Sequence, residues 1–453
     1  MLWTVILVLG PILYLLYRHY VNVIKHWKLL GVPGPEPTLV WGNLKSLLNV
    51  DYPPPFQLRD WTRKYGKTYG IYEGSRRVLV TSDPDLLQDV FLKKFDHFHG
   101  RKMGSLAGNV DKEPNVNVFA ARGLRWKRIR TIANPTFSVS NLKKMLPTVQ
   151  DSVTILVNLL DKHAEDEKAF NIHLYFQELT IDVIARVALG HDESLQGNNP
   201  YIELCKALFN RPLRNPFEVG SSLFPEVQPW IRKAATATAK LRGMPFPILF
   251  EKLTAVVNER RNNREKYKGR SDFIELFLDA EAEEDWVKEG HHLDHAGDYD
   301  KSALKVSKKL TSNEIVAQCF VFLLAGFDTT ANSLAYVSYL LATNPDVQAK
   351  LYAEIDDICT DEQITYEQIT QMKYLDAVMK EGLRLYPLGA FANSRICMKP
   401  CTLGNIPIEE GTFVQADVWT IHYDKELWGA DADQFRPERW EGEEKRHQMA
   451  WLS

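Results

Sequence analysis

Apolar residues recur every three or four positions along most of the chain beyond residue 83, which predicts helices with one apolar face. Two of the longest such segments cover residues 151–190 and 248–267. Before them, residues 68–73 and 77–81 are rich in Tyr, Ile and Val, and Gly74 with Ser75 separates them, a pattern typical of a β-hairpin. The predicted fold class is mainly α with a small β-sheet region, without internal repeats or a clear domain boundary.

The first apolar segment, residues 2–17, contains no charged side chain, and basic residues follow it. Its length is near the lower limit for a membrane span, about 17–25 residues, so a cleaved signal peptide is the alternative. No small-residue cleavage site follows, and the positive-inside rule places the basic residues in the cytosol. We therefore expect residues 1–24 to form a membrane anchor. Residues 25–37 are expected to form a stiff, proline-rich hinge, because proline fixes φ.

Composition excludes some functions. The 453 residues carry a formal net charge of -3 with acidic and basic side chains interspersed, and 45% of them are apolar. The chain can therefore bury a core, and it has no basic stripe that would neutralise a phosphate backbone, so no nucleic acid partner is expected. Five scattered cysteines do not resemble a disulfide framework, and we expect reduced thiols.

A long apolar helix is predicted to begin near residue 311. Thr311 has the position of an N-cap, and Glu314 completes a capping box. Leu310 and Ile315 have the spacing of a hydrophobic staple. From residue 315 to residue 345 the sole charged side chain is Asp328. Because a charge in the middle of a bilayer costs on the order of 2.5 kcal/mol or more, we expect a buried central helix and not a membrane span.

The middle of this helix, residues 325–330, reads Ala-Gly-Phe-Asp-Thr-Thr. Glycine costs about 1 kcal/mol relative to alanine inside a helix, so Gly326 indicates a close approach to the backbone. Asp328 beside Thr329 could form a proton relay, in which a buried carboxyl group passes protons through a hydroxyl group. Alternatively, the threonine hydroxyls bond back to carbonyl oxygens one turn earlier. These residues alone leave both interpretations open.

The order of four motifs adds information that none of them carries alone. They are Trp126 with Arg130 on a basic-aromatic helix, residues 325–330, Glu381 with Arg384 three positions apart, and Phe-Arg-Pro-Glu-Arg-Trp at residues 435–440. In this order, and over essentially the whole chain, they resemble the hallmarks of the cytochrome P-450 superfamily of haem-thiolate monooxygenases. The local sequence around residues 126–137 is most similar to the animal microsomal branch that holds drug- and steroid-oxidising members and thromboxane synthase.

The resemblance implies three kinds of site residue. Those implied to bind haem b, through its propionates or along the helix face against it, are Trp126, Arg130, Arg395, Ala325 and Gly326. The acid–alcohol pair implied to deliver protons for oxygen activation is Asp328 with Thr329. The implied structural network of the haem-side core is Glu381, Arg384 and Arg439, a type of buried ion cluster that is costly to break.

Partners and location also follow from the resemblance. It implies a lipophilic small-molecule substrate, O2, a membrane-bound NADPH-dependent flavoprotein reductase and the lipid bilayer. The protein is then expected in the endoplasmic reticulum membrane on a single N-terminal anchor, with a catalytic domain at residues 38–453 facing the cytosol. Residues 211–230 are expected to form a channel lid and membrane contact, and residues 98–119 another substrate-facing region. The substrate itself is not predicted, since several distant loops shape the pocket.

The sequence departs from the family pattern near its C-terminal end. The family has a haem-ligand loop, Phe-x-x-Gly-x-Arg-x-Cys-x-Gly, after the region of Arg439, and its thiolate is the axial ligand of the iron. The sequence stops at Ser453, and none of its cysteines lies in that context. We therefore expect a truncated P-450 fold without the ligand loop, the following helix and the last strands, and no activity in this chain. The alternative function is a catalytically dead, haem-free membrane-bound fragment or binding protein.

Overall fold

The computed structural model describes residues 2–165, 168–210, 214–270, 272–293, 297–299, 306–361, 363–390, 392–442 and 446–452, with the backbone alone for residues 2–9, 12 and 13. The described chain is mainly α-helical with two small sheets, which confirms the predicted mainly α class with a small sheet region. The predicted lack of the ligand loop, the following helix and the last strands stays a prediction. Its helices are α1 (Leu2–Ile24), α2 (His26–Leu29), α3 (Leu44–Leu47), α4 (Pro54–Tyr65), α5 (Pro84–Gln88), α6 (Gly123–Ala133), α7 (Val139–Glu165), α8 (Ile172–Leu189), α9 (Ile202–Phe209), α10 (Pro216–Leu223), α11 (Gln228–Ala239), α12 (Pro245–Asn262), α13 (Arg264–Tyr267), α14 (Phe273–Asp279), α15 (Glu284–Lys288), α16 (Ser312–Thr343), α17 (Pro345–Ile358), α18 (Tyr366–Gln371), α19 (Lys373–Leu385), α20 (Val418–His422) and α21 (Lys425–Trp428).

The strands of the described chain are β1 (Thr68–Glu73), β2 (Arg76–Thr81), β3 (Ser394–Ile396), β4 (Cys401–Leu403), β5 (Ile406–Ile408) and β6 (Phe413–Ala416). The larger sheet has the order β1-β2-β6-β3, in which β2 and β6 run parallel and the other neighbours antiparallel. Strands β4 and β5 form a separate antiparallel pair. The predicted hairpin is confirmed, since β1 pairs with β2 and Gly74 makes the turn with a φ of 67°.

The apolar spacing over residues 151–190 forms two helices and not one. Helix α7 ends at Glu165, and α8 begins after Asn171, whose side chain accepts a hydrogen bond from the backbone N–H of His173 at 3.1 Å. Asparagine is a strong N-cap because its side chain satisfies a free backbone donor. Helix α8 ends at Gly190, which adopts the left-handed conformation that glycine tolerates best.

Helix α16 begins as the sequence predicts. The Thr311 hydroxyl accepts a hydrogen bond from the Glu314 backbone N–H at 3.1 Å, and the Glu314 carboxylate accepts one from the Thr311 backbone N–H at 3.0 Å. Leu310 and Ile315 are both fully buried in the apolar cluster that α16 shares with α8, α12 and α14. The capping box and the staple therefore fix the start of the helix on which the candidate site lies.

Among the residues that the structure describes, α16 is the one helix that is long and apolar enough to cross a membrane, judged by length and composition. Half of its most apolar stretch is buried, and it packs against α8, α12, α14 and α19. This packing supports the predicted buried central helix. The predicted anchor, residues 1–24, coincides with the 23-residue helix α1, and its insertion in a membrane stays a prediction.

The segment predicted to be a hinge packs against the larger sheet. The backbone N–H of Gly70 donates to the carbonyl oxygen of Pro33 at 2.8 Å, and the indole N–H of Trp27 donates to the carbonyl oxygen of Ile71 at 3.1 Å. A Cβ atom on Gly34 would lie 2.1 Å from the carbonyl oxygen of Gly70, so this approach requires glycine. These contacts tie the chain after α2 to β1, and the hinge function stays a prediction.

Candidate active site

One face in the middle of α16 is open to solvent. Ala325, Thr329 and Thr330 are exposed, whereas Phe327 and Ala331 are fully buried. Positions 325 and 329 are one turn apart and therefore lie on the same side of the helix. The central helix thus presents a small residue and a hydroxyl group side by side on its open face.

The hydroxyl group of Thr329 bonds back to its own helix. It donates to the carbonyl oxygen of Ala325 at 2.5 Å, and Ser333 makes the corresponding bond to the carbonyl oxygen of Thr329 at 2.9 Å. The structure therefore contains the back-bonded arrangement that the sequence left as one of two alternatives. Because a hydroxyl oxygen has two acceptor lone pairs, Thr329 can still accept a hydrogen bond on the open face.

Asp328 turns towards α8. Its Oδ1 atom accepts a hydrogen bond from the Gln177 side-chain amide at 2.7 Å and lies 3.5 Å from Nε2 of His173. The Asn332 amide donates to the backbone carbonyl oxygen of Asp328 at 2.7 Å. Within the described part of the chain, no hydrogen bond joins Asp328 to Thr329. The two predicted relay residues are sequence neighbours on different sides of the helix, so a relay between them needs an intervening proton carrier.

Gly326 allows α16 to approach α8. A Cβ atom at this position would lie 3.1 Å from Cδ1 and 3.2 Å from Cγ1 of Ile184. The close approach that the sequence predicts at this glycine is therefore made by a side chain of α8. Its predicted place beside a bound haem is a separate expectation.

Three arginines from different parts of the chain converge near the larger sheet. Burial, and then the positive charge of Arg101, lower the pKa of Arg395 to about 9. Burial, and then the positive charge of Arg130, likewise lower the pKa of Arg101. Among the described residues, no carboxylate lies within 4.0 Å of any of these three guanidinium groups. A cluster of like charges without a counter-ion is typical of a site that binds an anion.

Backbone and aromatic contacts position the side chains of this arginine cluster and of Trp126. Arg101 donates to the carbonyl oxygen of Ala392 at 3.0 Å, and the Arg395 guanidinium lies over the Phe91 ring at 4.6 Å from its centroid. Trp126 lies on α6, one turn before Arg130, with its ring 5.5 Å from that of Phe95. Sequence analysis predicted Trp126, Arg130 and Arg395 but missed Arg101. The donor set fits a group that carries two carboxylates, as the haem propionates do.

The predicted haem-side network is brought together around Glu381. Arg384 donates to both of its carboxylate oxygens, at 2.8 and 2.7 Å, and Arg439 donates at 2.7 Å. The Trp440 indole N–H adds a fourth bond at 2.9 Å. Burial alone would raise the pKa of Glu381, but the hydrogen bonds and charges of the two arginines outweigh it and hold the pKa below its ordinary value. The carboxylate is therefore fully paired in the core.

A second buried ion cluster was not predicted. Glu314, on the first turn of α16, accepts hydrogen bonds from Arg125 at 2.9 Å and from Arg128 at 2.7 and 2.9 Å. All three side chains are almost entirely buried. The sequence assigned Glu314 to the capping box, and the capping bond gives no indication that two arginines of α6 share the same carboxylate.

Two open cavities of about 320 and 390 Å³ lie next to the loop after Arg101, and Arg101 itself lines the smaller one. They are lined by this loop, by residues of α10 and α11, and by the larger sheet. Ser105 donates to the backbone carbonyl oxygen of Glu218 at 2.7 Å, Ser221 donates to that of Ser105 at 2.7 Å, and Gln228 donates to that of Ala107 at 3.0 Å. The described parts of the two segments predicted to face a substrate are therefore in contact. Residues 211–213 lie outside the described chain.

The cysteines occupy packed positions of their own. Burial raises the pKa of Cys205, Cys319 and Cys397 to about 12. These three side chains are therefore protonated thiols at neutral pH, whereas a metal ligand must be a thiolate. Cys397 donates to the carbonyl oxygen of Lys399 at 3.0 Å.

Comparisons with known proteins identify the family of this chain. Residues 32–453 match the family described as cytochrome P450. Among similar proteins of Caenorhabditis elegans, those carrying the cytochrome P450 names CYP13A8, CYP13A1 and cyp-13B1 are 40%, 41% and 41% identical over 94% of this chain and 84%, 82% and 83% of their own lengths. The chain therefore belongs to the cytochrome P450 family, whose members are haem-dependent oxidoreductases.

Family membership confirms the resemblance found in the sequence. It implies haem b as the cofactor, and a haem-dependent monooxygenase that takes O2, a lipophilic substrate and electrons from a redox partner. Trp126, Arg101, Arg130 and Arg395 are the residues that would hold the haem propionates. Two predictions stay predictions: the branch of the family to which the chain belongs, and the individual roles of the site residues.

Proposed function

We propose that this protein inserts one oxygen atom of O2 into a lipophilic small molecule, with electrons from NADPH delivered by a membrane-bound flavoprotein reductase. We further propose that α1 anchors it in the endoplasmic reticulum membrane with the catalytic domain facing the cytosol. The observation that supports the proposal most strongly is the cluster of Arg101, Arg130 and Arg395, which has no carboxylate within 4.0 Å among the described residues. When bound, haem supplies the iron at which O2 is activated.

The chain's own residues then divide the remaining work. The guanidinium groups of Arg101, Arg130 and Arg395 would pair with the two propionate carboxylates and so hold the cofactor. Thr329 holds a hydroxyl oxygen on the open face, where it can accept and pass a proton, and Asp328 supplies protons from the side of α8. Ser105 and Gln228 hold the lid segment against the loop after Arg101, next to the adjoining cavities.

Membrane contact is supported by the surface around α10 and α11. Phe224, Val227 and Trp230 are exposed, with 69% of Trp230 accessible. The end of α1 meets this corner, since the Tyr20 hydroxyl donates to the carbonyl oxygen of Leu223 at 2.8 Å. An exposed aromatic and apolar surface next to an apolar N-terminal helix is typical of a protein that rests on a bilayer.

The test is oxygenation by the native protein in microsomal membranes with reductase and NADPH. When the protein carries the ligand loop that the family has after the region of Arg439, we expect a carbon monoxide difference band near 450 nm, as for a thiolate-ligated haem, and product from a lipophilic substrate panel. Thr329→Ala should divert reducing equivalents to hydrogen peroxide. Thr343→Ala is the matched control, because Thr343 makes the same backbone bond at the end of α16. Absence of the band would contradict the proposal and favour the haem-free alternative.

A further inference from the structure

His173 is the titratable side chain of α8 that lies beside Asp328. Its Nε2 atom is buried and makes no hydrogen bond in the described chain, although it lies 3.5 Å from Oδ1 of Asp328. The rest of the ring is partly open, with 27% of the side chain exposed. One edge of the imidazole thus faces the carboxylate, while another part of the ring reaches solvent.

The surrounding contacts fix both partners. His173 is in the first turn of α8, where its backbone N–H bonds to the Asn171 cap. Gln177, one turn later and 6% exposed, donates to the same Oδ1 atom of Asp328 that His173 approaches. Because Gln177 holds the carboxylate in place, a small rotation of the imidazole suffices to bring Nε2 within hydrogen-bond distance of it. Proton-transfer contacts are often long in a resting structure and shorten during turnover.

We propose that His173 is the positioning residue through which protons from solvent reach Asp328. This inference rests on the proposed monooxygenase function. In the transfer, the imidazolium form of His173 releases its Nε2 proton to Oδ1 of Asp328, which becomes a neutral carboxylic acid. The neutral imidazole keeps its Nδ1 proton and turns its vacated Nε2 to the solvent side, where Nε2 takes one proton from water or a buffer acid. The ring then rotates back to its starting state. No oxidant or reductant takes part, and each proton consumed at the site is replaced from solvent.

Histidine suits this task because it exchanges protons near neutral pH, whereas the Gln177 amide does not. The second histidine nearby has other contacts: the Tyr175 hydroxyl is hydrogen-bonded to Nε2 of His163, which lies on α7. His163 is therefore a matched control, the same residue type in the same region without a contact to Asp328.

The first experiment compares His173→Gln with His163→Gln in the complete protein with reductase. We expect His173→Gln to lower the fraction of NADPH that yields product by on the order of ten-fold or more, with the balance released as peroxide. KM should change by less than about two-fold, because His173 is not expected to contact substrate. The solvent deuterium isotope effect on kcat should increase. If the wild type forms product and His173→Gln divides NADPH between product and peroxide in the same ratio, the role of His173 is overturned and the proposed function stands.

The second experiment does not require activity. Tm values for His173→Gln, Asp328→Asn and the double variant form a cycle that measures whether the two side chains interact. We expect the double variant to lose less Tm than the sum of the two single losses. Additive losses would overturn the proposed contact. If the Tm cycle shows an interaction between the two side chains in a wild type that does not oxygenate any substrate, the His173–Asp328 contact stands. In that case both the proton route and the proposed function fail.

Discussion

Arg128 donates two hydrogen bonds to the carboxylate of Glu314, at 2.7 and 2.9 Å, inside the protein. This contact joins α6, which carries Trp126 and Arg130, to the first turn of α16, which carries Asp328 further along. The helix of the proposed propionate ligands and the helix of the proposed proton relay are therefore held in register by one buried carboxylate.

Replacing the Glu314 carboxylate should lower the free energy of unfolding strongly. Glu314→Gln leaves the guanidinium groups of Arg125 and Arg128 buried without a counter-charge, which costs about 3–5 kcal/mol. Urea unfolding of the two proteins measures the difference. Glu367→Gln is the control, because the ion pair of Glu367 with Lys143 is exposed and screened by solvent, so its loss should change stability little. Equal effects of the two substitutions would contradict the importance of the buried cluster.

The Glu381 network should give a defined acid sensitivity. Its pKa is lowered in the folded state, so the carboxylate stabilises the fold above its unfolded pKa of about 4.5. That contribution is lost as the pH falls through the still lower folded value. We therefore expect the difference in unfolding free energy between wild type and Glu381→Gln to be constant from about pH 7 to 5 and to shrink below about pH 4.5. A difference that grows on acidification would show that the carboxyl group is protonated in the fold.

His422 should also make the fold less stable at low pH, because the folded protein keeps this side chain neutral. Burial lowers its pKa to about 3; its Nδ1 lies 2.9 Å from the carbonyl oxygen of Arg384, and its Nε2 accepts from the Leu452 N–H at 2.9 Å. The unfolded chain therefore takes up a proton near pH 6.5 that the folded chain refuses until about pH 3. Stability is fully present above pH 6.5 and falls by about 1.4 kcal/mol per unit below it.

Stability measured between pH 8 and pH 4 checks this linkage. His422→Gln should flatten the decline below pH 6.5 relative to wild type. His97→Gln, a substitution of a partly exposed histidine, is the comparison. An unaltered slope in His422→Gln would mean that His422 does not titrate between the two states.

The arginine cluster should determine haem retention. Arg101→Ala and Arg395→Ala each remove a charge-assisted contact to a propionate, worth about 1.5–3 kcal/mol, so haem should dissociate about ten-fold to a hundred-fold more readily. Transfer of haem to an excess of apomyoglobin measures the rate. Arg264→Ala, which removes an arginine paired with Glu275 and Asp279, is the control. Retention unchanged in Arg101→Ala would remove Arg101 from the proposed site.

The crossing of α16 and α19 depends on a glycine. A Cβ atom on Gly382 would lie 2.6 Å from Cγ2 of Val337, so Gly382→Ala should destabilise by about 1–3 kcal/mol despite the better helix propensity of alanine. Val337→Ala should relieve the clash, and the double variant should be more stable than the sum of the single effects predicts. Denaturant unfolding of the four proteins tests this, and strict additivity would contradict it.

The sequence by itself determined the features that depend on neighbouring residues. Apolar spacing predicted the helices, the Thr311–Glu314 capping box located the start of α16, and Gly74 located the hairpin turn. These succeed because a cap or a turn is made by residues a few positions apart. The ordered motifs predicted the family for a related reason. Their residue types and their order can be read from the sequence without knowing where the residues lie in space.

Tertiary structure decided which distant side chains meet. Arg101 joined Arg395 and Arg130, two arginines of α6 joined Glu314, and His173 came beside Asp328. Their sequence separations carry no periodic signal, because contacts across the core are chosen by helix packing and not by local spacing. The direction of Asp328 towards α8 was likewise decided by the rotation of α16 about its axis, which the capping box does not specify. The sequence thus determined the helices, the strands and their chemical groups. Packing determined which of these groups form ion pairs and which lie close enough to exchange a proton.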